Sequence, residues 1–112
     1  MANNIRINHQ NGIYSVYEVD KEGDYVRTLV TSIEPVGKVM DLTEMLYYGK
    51  DLFTKTIVKF RELGMKGFYL HYHSDLLDCI DGLHNIITLV NNQNEEDSDK
   101  VLPKKYYEFE FI

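Results

Sequence analysis

Hydrophobic and polar residues alternate along the first third of the chain with the two-residue period of β-strands. Residues 5–19 are predicted to form a hairpin, because Asn11-Gly12 supplies the two positive-φ positions that a tight two-residue turn requires. Counting outward from that turn pairs Ile7 with Val16 and fixes the register. We expect one face of the hairpin to be buried, formed by Ile5, Ile7, Tyr14 and Val16.

A second turn and a third strand follow the hairpin. Residues 20–23 read Asp-Lys-Glu-Gly, a composition typical of turns, and residues 25–33 are rich in β-branched side chains. The next pattern is helical: Asp41 is a good N-cap, and Glu44 stands three residues later. Hydrophobic residues then recur at steps of three and four, which predicts one long helix from 42 to 63 that bends at Gly49.

Residues 67–73 alternate again and are predicted to form a strand. Its two faces would be Phe68, Leu70 and Tyr72 on one side, and Tyr69, His71 and His73 on the other.

A second helix is predicted to begin at Ser74 or Asp75 and to reach Val90, with a possible break at Gly82. Its apolar side would comprise Leu76, Ile80, Leu83, Ile87 and Val90. Asp75, Asp78, Asp81 and Asn85 would lie opposite, and His84 would pack near the apolar side.

The chain then becomes polar. Residues 91–103 are predicted to be a mobile acidic loop, followed by a strand in which Tyr107, Phe109 and Phe111 face inward. The element order βββαβαβ predicts an α+β fold of two layers. In it, a mainly antiparallel sheet is covered on one face by one long and one shorter helix.

Composition fits a single domain spanning residues 1–112, since 44% of the residues are hydrophobic. No apolar run approaches the roughly 18 residues needed to span a bilayer, so we expect no membrane association. The N-terminus lacks a signal-peptide pattern and the only cysteine is Cys79, both of which indicate a cytoplasmic protein.

Charge is distributed unevenly along the chain, whose net charge is −6. No Lys or Arg lies between Lys66 and Lys100, whereas this stretch carries seven carboxylates. They are Asp75, Asp78, Asp81, Glu95, Glu96, Asp97 and Asp99. Such a segment attracts a basic protein surface and repels nucleic acid, so we expect a protein partner and no direct nucleic-acid binding.

The aspartates of the predicted second helix suggest how such a partner could be bound. Residues three apart on a helix are separated by about 4.5 Å of rise, which is comparable with phosphate spacing along a nucleic-acid strand. We hypothesise a non-enzymatic, phage-like or mobile-element inhibitor that mimics nucleic acid and occupies the basic groove of a partner. The alternative is that the carboxylates form only the solvated face of an amphipathic helix.

Aromatic residues offer further contact area. Tyr47 and Tyr48 flank the apolar stripe rather than lie on it, which makes them candidates for a partner interface. An aromatic C-terminal strand could also pair edge to edge with a second copy, so a structural subunit or homodimer is another alternative.

The candidate chemistry is sparse. His71, His73 and Asp75 have the His-x-His-x-Asp spacing of metal-dependent hydrolases, and a small metal-binding regulatory domain is a further alternative. Cys79 or His84 could replace Asp75 as the third ligand. We expect Cys79 to be an inert buried thiol, because its surroundings are acidic. We therefore predict no catalytic residues and no cofactor.

Overall fold

The computed structural model describes the backbone of residues 3–95 and 104–112, and the side chains of these residues apart from 91–95 and 104–105. The described residues form seven strands in two sheets, one long α-helix, one short α-helix and one 3₁₀ helix. This arrangement confirms the predicted α+β class.

The first sheet is an antiparallel meander with strand order β1-β2-β3. Its strands are β1 (Asn4–Gln10), β2 (Ile13–Val19) and β3 (Tyr25–Ile33). Asn11 and Gly12 have φ values of 55° and 77°, and Ile7 pairs with Val16, so the predicted turn and register are confirmed. Three residues of the predicted inner face are buried and Ile7 is half-buried.

The second turn is held by one carboxylate. Asp20 Oδ1 accepts hydrogen bonds from the backbone N–H groups of Glu22, at 3.0 Å, and Asp24, at 2.9 Å. This is the local bonding that makes aspartate common in turns. It directs the chain back into β3, as the sequence predicts.

The predicted long helix is wrong in its first part. Residues 39–41 form a short strand, β4 (Val39–Asp41), and a 3₁₀ helix spans Thr43–Tyr48 before the α-helix α1 (Gly49–Glu62) begins. Asp41 does receive a backbone N–H, from Thr43 at 3.0 Å, but it precedes the 3₁₀ helix rather than an α-helix. Gly49 has φ 87° and ψ 170°, a conformation outside the helical region. The predicted long helix is therefore interrupted at Gly49 rather than bent.

Helix α1 contacts both sheets through its buried stripe. The Phe60 ring meets the Tyr14 ring of the first sheet edge-on, with centroids 5.5 Å apart. About two turns earlier on the same stripe, Phe53 meets Phe68 of the second sheet at 5.8 Å. Full burial of each such side chain stabilises the fold by about 1.5–3 kcal/mol. No described helix has both the length and the apolar character needed to cross a bilayer.

The second sheet has the order β4-β5-β7-β6, with β4 and β5 parallel and the other pairs antiparallel. Its remaining strands are β5 (Gly67–His71), β6 (Ile87–Glu95) and β7 (Lys104–Phe111). Strand β5 is shorter than predicted. Phe68 and Leu70 are buried, but Tyr72 lies beyond the strand and is exposed, so its predicted place beside them on one strand face is wrong.

The second helix, α2, covers only Leu76–Ile80, and its predicted continuation to Val90 is wrong. Asp81 is extended, with φ −60° and ψ 131°, and Gly82 has φ 80°, a left-handed conformation that favours glycine. The chain then enters β6, whose partner is β7. Residues 91–95 of the predicted acidic loop therefore belong to a strand, and residues 96–103 lie outside the described residues.

Strand β7 lies inside the second sheet, between β5 and β6. Phe109 is buried, while Tyr107 and Phe111 are half-buried. Both sides of β7 are hydrogen-bonded within the chain, so β7 is not the free edge strand that the predicted pairing with a second copy uses. The homodimer itself stays a prediction.

Candidate protein-binding surface

Three aspartates define an acidic α2 surface. Asp75 immediately precedes α2, Asp78 lies within it and Asp81 immediately follows it. All three are exposed, which confirms their predicted outward position. The predicted uniform helical spacing is wrong, because the helix ends at Ile80 and Asp81 stands on extended backbone.

Buried residues on the other side of α2 hold these carboxylates outward. Leu76, Cys79 and Leu83 are 4%, 2% and 6% exposed. The Cys79 thiol also donates to the backbone oxygen of Leu46 at 3.9 Å, which joins α2 to the 3₁₀ helix. The apolar side predicted for a longer helix is thus largely correct, although the backbone that carries it differs.

The carboxylates of this surface have few partners within the described chain. Asp75 Oδ2 lies 3.7 Å from His73 Nδ1, while Asp78 and Asp81 form no ion pair with a described residue within 4.0 Å. Arg27 and Lys55 instead pair with acidic groups elsewhere.

One lysine lies close to α2. The Lys50 ammonium of α1 would be 3.6 Å from a Cβ placed on Gly82. It offsets part of the negative potential on that side of the surface.

The negative potential affects the pKa of the Cys79 thiol. Burial raises its pKa, and the negative charges of Asp75 and Asp78 raise it further, whereas Lys50 lowers it. The thiol therefore stays protonated near neutral pH and is a poor nucleophile. This agrees with the expectation that Cys79 is an inert buried group.

A groove of about 620 Å³ runs between α2 and β6 beside the acidic α2 surface. It is lined by Leu77, Asp78, Ile80, Asp81, Gly82, His84, Ile87, Leu89 and Phe109. Leu77 is 74% exposed and Leu89 is 50% exposed, so apolar surface is open to solvent directly beside two carboxylates. The prediction that His84 packs against the apolar side is wrong, because His84 is exposed at this groove.

The two candidate tyrosines differ in their contacts. Tyr47 is 70% exposed, and its ring meets the His73 ring at 4.4 Å, so it extends the acidic α2 surface. The Tyr48 hydroxyl donates to the backbone oxygen of Leu29 at 2.8 Å, and the Arg27 guanidinium lies 5.1 Å above the Tyr48 ring. Tyr48 therefore contacts the first sheet rather than the acidic α2 surface.

The other predicted carboxylates lie further along the chain. Glu95 is the last residue of β6. Glu96, Asp97 and Asp99 lie outside the described residues.

The predicted metal ligands occupy separate environments. Strand β5 ends at His71, whose Nε2 lies 3.5 Å from Asp41 Oδ2. His73 lies beyond the strand, and its Nδ1 accepts the backbone N–H of Asp75 at 3.1 Å. Among the residues that the structure describes, no three His, Cys, Asp or Glu side chains are grouped to hold a metal ion.

The acidic α2 surface thus combines exposed carboxylates with an open apolar groove, a combination suited to contact with a basic protein surface. No protein-family model, curated protein or solved structure matches the chain. Its function is therefore inferred from the chemistry of the described residues.

Proposed function

We propose that this chain is a non-enzymatic, cytoplasmic inhibitor whose acidic α2 surface occupies the basic nucleic-acid-binding surface of a partner protein. The partner contributes Lys and Arg side chains, and the chain itself does not bind nucleic acid. The carboxylates take the place of phosphates in the partner's groove.

The observation that carries this proposal is the exposure of Asp75, Asp78 and Asp81 without an Arg or Lys ion pair in the described chain. Residues 67–99 contain no Lys or Arg, and the basic side chain that lies near Gly82, Lys50, comes from α1. Surface charges act over a screening length of about 8 Å at physiological salt, so these groups combine in one local field. Such a field accelerates encounter with a basic surface.

The apolar groove adds specificity to this attraction. Leu77 lines the groove beside the carboxylates and is 74% exposed, so its apolar side chain is open to contact with a partner. An apolar anchor surrounded by charged groups resembles the centre and rim of protein interfaces. We expect the partner to place an apolar side chain in the groove and basic side chains around it.

The decisive variant removes the three charges and keeps the side-chain shapes: Asp75→Asn, Asp78→Asn and Asp81→Asn combined. The matched control is Glu22→Gln, Asp24→Asn and Glu34→Gln, three exposed acidic residues around the first sheet. Both variants lose the same net charge, so a general charge effect alters them equally. Neither set of acidic residues makes an ion pair with a described Lys or Arg. The free energy of unfolding of both variants should therefore lie within about 0.5 kcal/mol of that of the wild type.

The experiment is capture from a nuclease-treated host extract on immobilised protein, followed by elution with duplex DNA. We expect the wild type and the control variant to retain the same nucleic-acid-binding protein, which DNA releases. The affinity of the α2 variant for that protein should fall by about tenfold or more, because three exposed charge contacts are lost. Equal binding by the α2 variant, or a captured partner that DNA does not displace, would refute the proposal.

A further inference from the structure

A second candidate site lies on the outer face of the second sheet. Tyr69 and His71 alternate along β5 with the buried Phe68 and Leu70, so they face away from the core. Tyr106 of β7 stands opposite His71 in the strand register. Three aromatic rings from two strands are thereby brought to one part of the sheet, which we call the aromatic cluster.

The rings of the aromatic cluster contact one another without stacking. The Tyr69 and His71 centroids are 5.9 Å apart, those of Tyr69 and Tyr106 are 6.4 Å apart, and those of His71 and Tyr106 are 6.1 Å apart. Their planes are inclined at 80°, 67° and 60°, respectively. In each pair the edge of one ring meets the other ring, so no two rings of the cluster are stacked on each other.

A depression of about 380 Å³ lies at this cluster. Its lining consists of Val36, Val39, Tyr69, His71, Tyr106 and Glu108. The volume falls within the range of small-molecule sites, toward its lower end, and suits a compact head group. Val36 is 74% exposed, so most of its apolar side chain is open to solvent at the depression.

The electrostatics of the depression favour a cation. Glu108 is part of the lining, and Asp41 Oδ2 lies 3.5 Å from His71 Nε2 at its margin. Burial raises the pKa of Tyr69, and the negative charge of Asp41 raises it further, so the phenol remains neutral. None of the described lining residues is Lys or Arg.

We infer that the aromatic cluster binds an alkylated ammonium group. A quaternary or methylated ammonium carries its positive charge on an apolar surface, which matches ring faces, valine side chains and a nearby carboxylate together. An anion is disfavoured by Glu108 and Asp41. An unmethylated ammonium is strongly hydrated and gains less from an aromatic and aliphatic lining. This site is separate from the acidic α2 surface and does not depend on the function proposed for it.

Charge can be separated from shape with two probes of nearly the same form. Choline is cationic, whereas 3,3-dimethylbutanol replaces its quaternary nitrogen with carbon and is neutral. In an NMR titration of the full chain, choline should shift the resonances of Tyr69, His71 and Tyr106 in a saturable manner, while the neutral alcohol should not. Absence of saturable shifts, or equal binding of the two probes, would overturn the inference.

Variants then test the rings. Tyr106→Leu should weaken choline binding about tenfold, whereas Tyr106→Phe, which keeps the ring, should bind within about twofold of the wild type. Tyr72→Leu is the matched control, because Tyr72 is exposed beyond the end of β5 and does not line the depression. Glu108→Gln keeps the local shape and should weaken binding about two- to fivefold. Loss of binding in Tyr72→Leu, or full binding by a folded Tyr106→Leu variant, would contradict the assignment.

Two sources of the ligand can be distinguished with the same assay. A peptide containing trimethyllysine and its unmethylated counterpart are titrated beside choline. Tighter binding of the methylated peptide than of choline identifies a modified protein side chain as the ligand. Binding of choline alone identifies a free small cation. Both outcomes support the site, whereas equal binding of the methylated and unmethylated peptides would refute it.

Discussion

The two sheets are assembled in different ways. Strands of the first sheet follow one another along the chain and are joined by turns whose bonding is local, as at Asn11-Gly12 and Asp20. The second sheet brings together strands separated by α1 and by α2, and its order does not follow the chain. The aromatic cluster and the groove beside α2 both use residues of the second sheet. The first sheet packs on α1, which in turn packs on the second sheet. The second sheet is where side chains distant in sequence come together to form both candidate sites.

The contrast between the two sheets can be tested by substitutions that change stability, and the largest effect is expected from Gly67→Ala in the second sheet. Gly67 is buried in β5, and an added Cβ would overlap the backbone oxygen of Phe109 in β7. Since a backbone atom cannot yield without disturbing the strand pair, we expect a loss of about 3 kcal/mol in the free energy of unfolding. Urea denaturation followed by circular dichroism measures it.

Thr88→Ala is the control for that variant, because Thr88 is exposed on β6 of the same sheet. Its free energy of unfolding should lie within about 0.5 kcal/mol of the wild type. Similar stability of Gly67→Ala and the wild type would show that β5 and β7 are not packed as described.

A smaller effect is expected in the first sheet from Gly12→Ala. Gly12 has φ 77°, which costs a residue with a Cβ about 1 kcal/mol, but the surroundings are open and no atom is displaced. Gly12→Asn should be milder, because asparagine tolerates this conformation. Denaturation of both variants beside the wild type tests the order. A loss in Gly12→Ala as large as that in Gly67→Ala would contradict the distinction between local and long-range assembly.

The smallest effect concerns pH and Glu18 of β2. Its carboxylate accepts hydrogen bonds from Arg27 Nε at 2.6 Å and Asn3 Nδ2 at 2.7 Å, and these bonds lower the pKa of Glu18 below the ordinary value of 4.5. A carboxyl group with a lowered pKa in the folded state stabilises the protein above its ordinary pKa. That contribution disappears as the pH falls through the lowered value.

Glu18→Gln should therefore be less stable than the wild type at pH 7, by at most about 1 kcal/mol, since Arg27 is largely exposed. The difference should vanish in strong acid. Denaturation at several pH values between neutrality and the acid limit measures it, with the exposed Glu22→Gln as control. A difference that persists unchanged in acid would show that Glu18 acts through packing rather than through its charge.

The first sheet could be predicted from sequence because its information is local. Asn11-Gly12 determines a turn type, and the turn type determines the pairing of Ile7 with Val16. No residue outside the hairpin is needed for that prediction. The same holds for the turn at Asp20, whose carboxylate bonds only to its own neighbours.

Residues 74–95 could not be predicted in the same way. Leu83, Ile87 and Val90 fit the spacing of a helix. However, Ile87 and its neighbours pair with β7, which follows β6 in the sequence after residues 96–103. The β-branched run at Ile86-Ile87-Thr88 was a strand signal that the helical spacing obscured. At Gly49 the sequence pattern predicted a bend within one helix. In the structure, Gly49 has a φ of 87°, and the 3₁₀ helix ends there.

The candidate sites show the same division. The exposure of Asp75, Asp78 and Asp81 follows from apolar spacing, because whatever faces away from Leu76 and Leu83 faces solvent. The contact of Tyr48 with Leu29 depends on a neighbour that its own sequence surroundings do not reveal. The aromatic cluster likewise requires the register between β5 and β7, although the alternation of Tyr69 with Leu70 indicated which side of β5 faces outward.

The central place of β7 has a consequence for how the protein is made. Residues 104–111 are translated after every other strand described here, yet they lie between β5 and β6. Until these residues emerge from the ribosome, β5 can pair only with β4 among the described strands, and β5 and β6 have no common partner. The nascent chain can fold its first hairpin before β7 is made, but the second sheet must await the synthesis of β7, so chaperones would encounter an intermediate with exposed apolar strands.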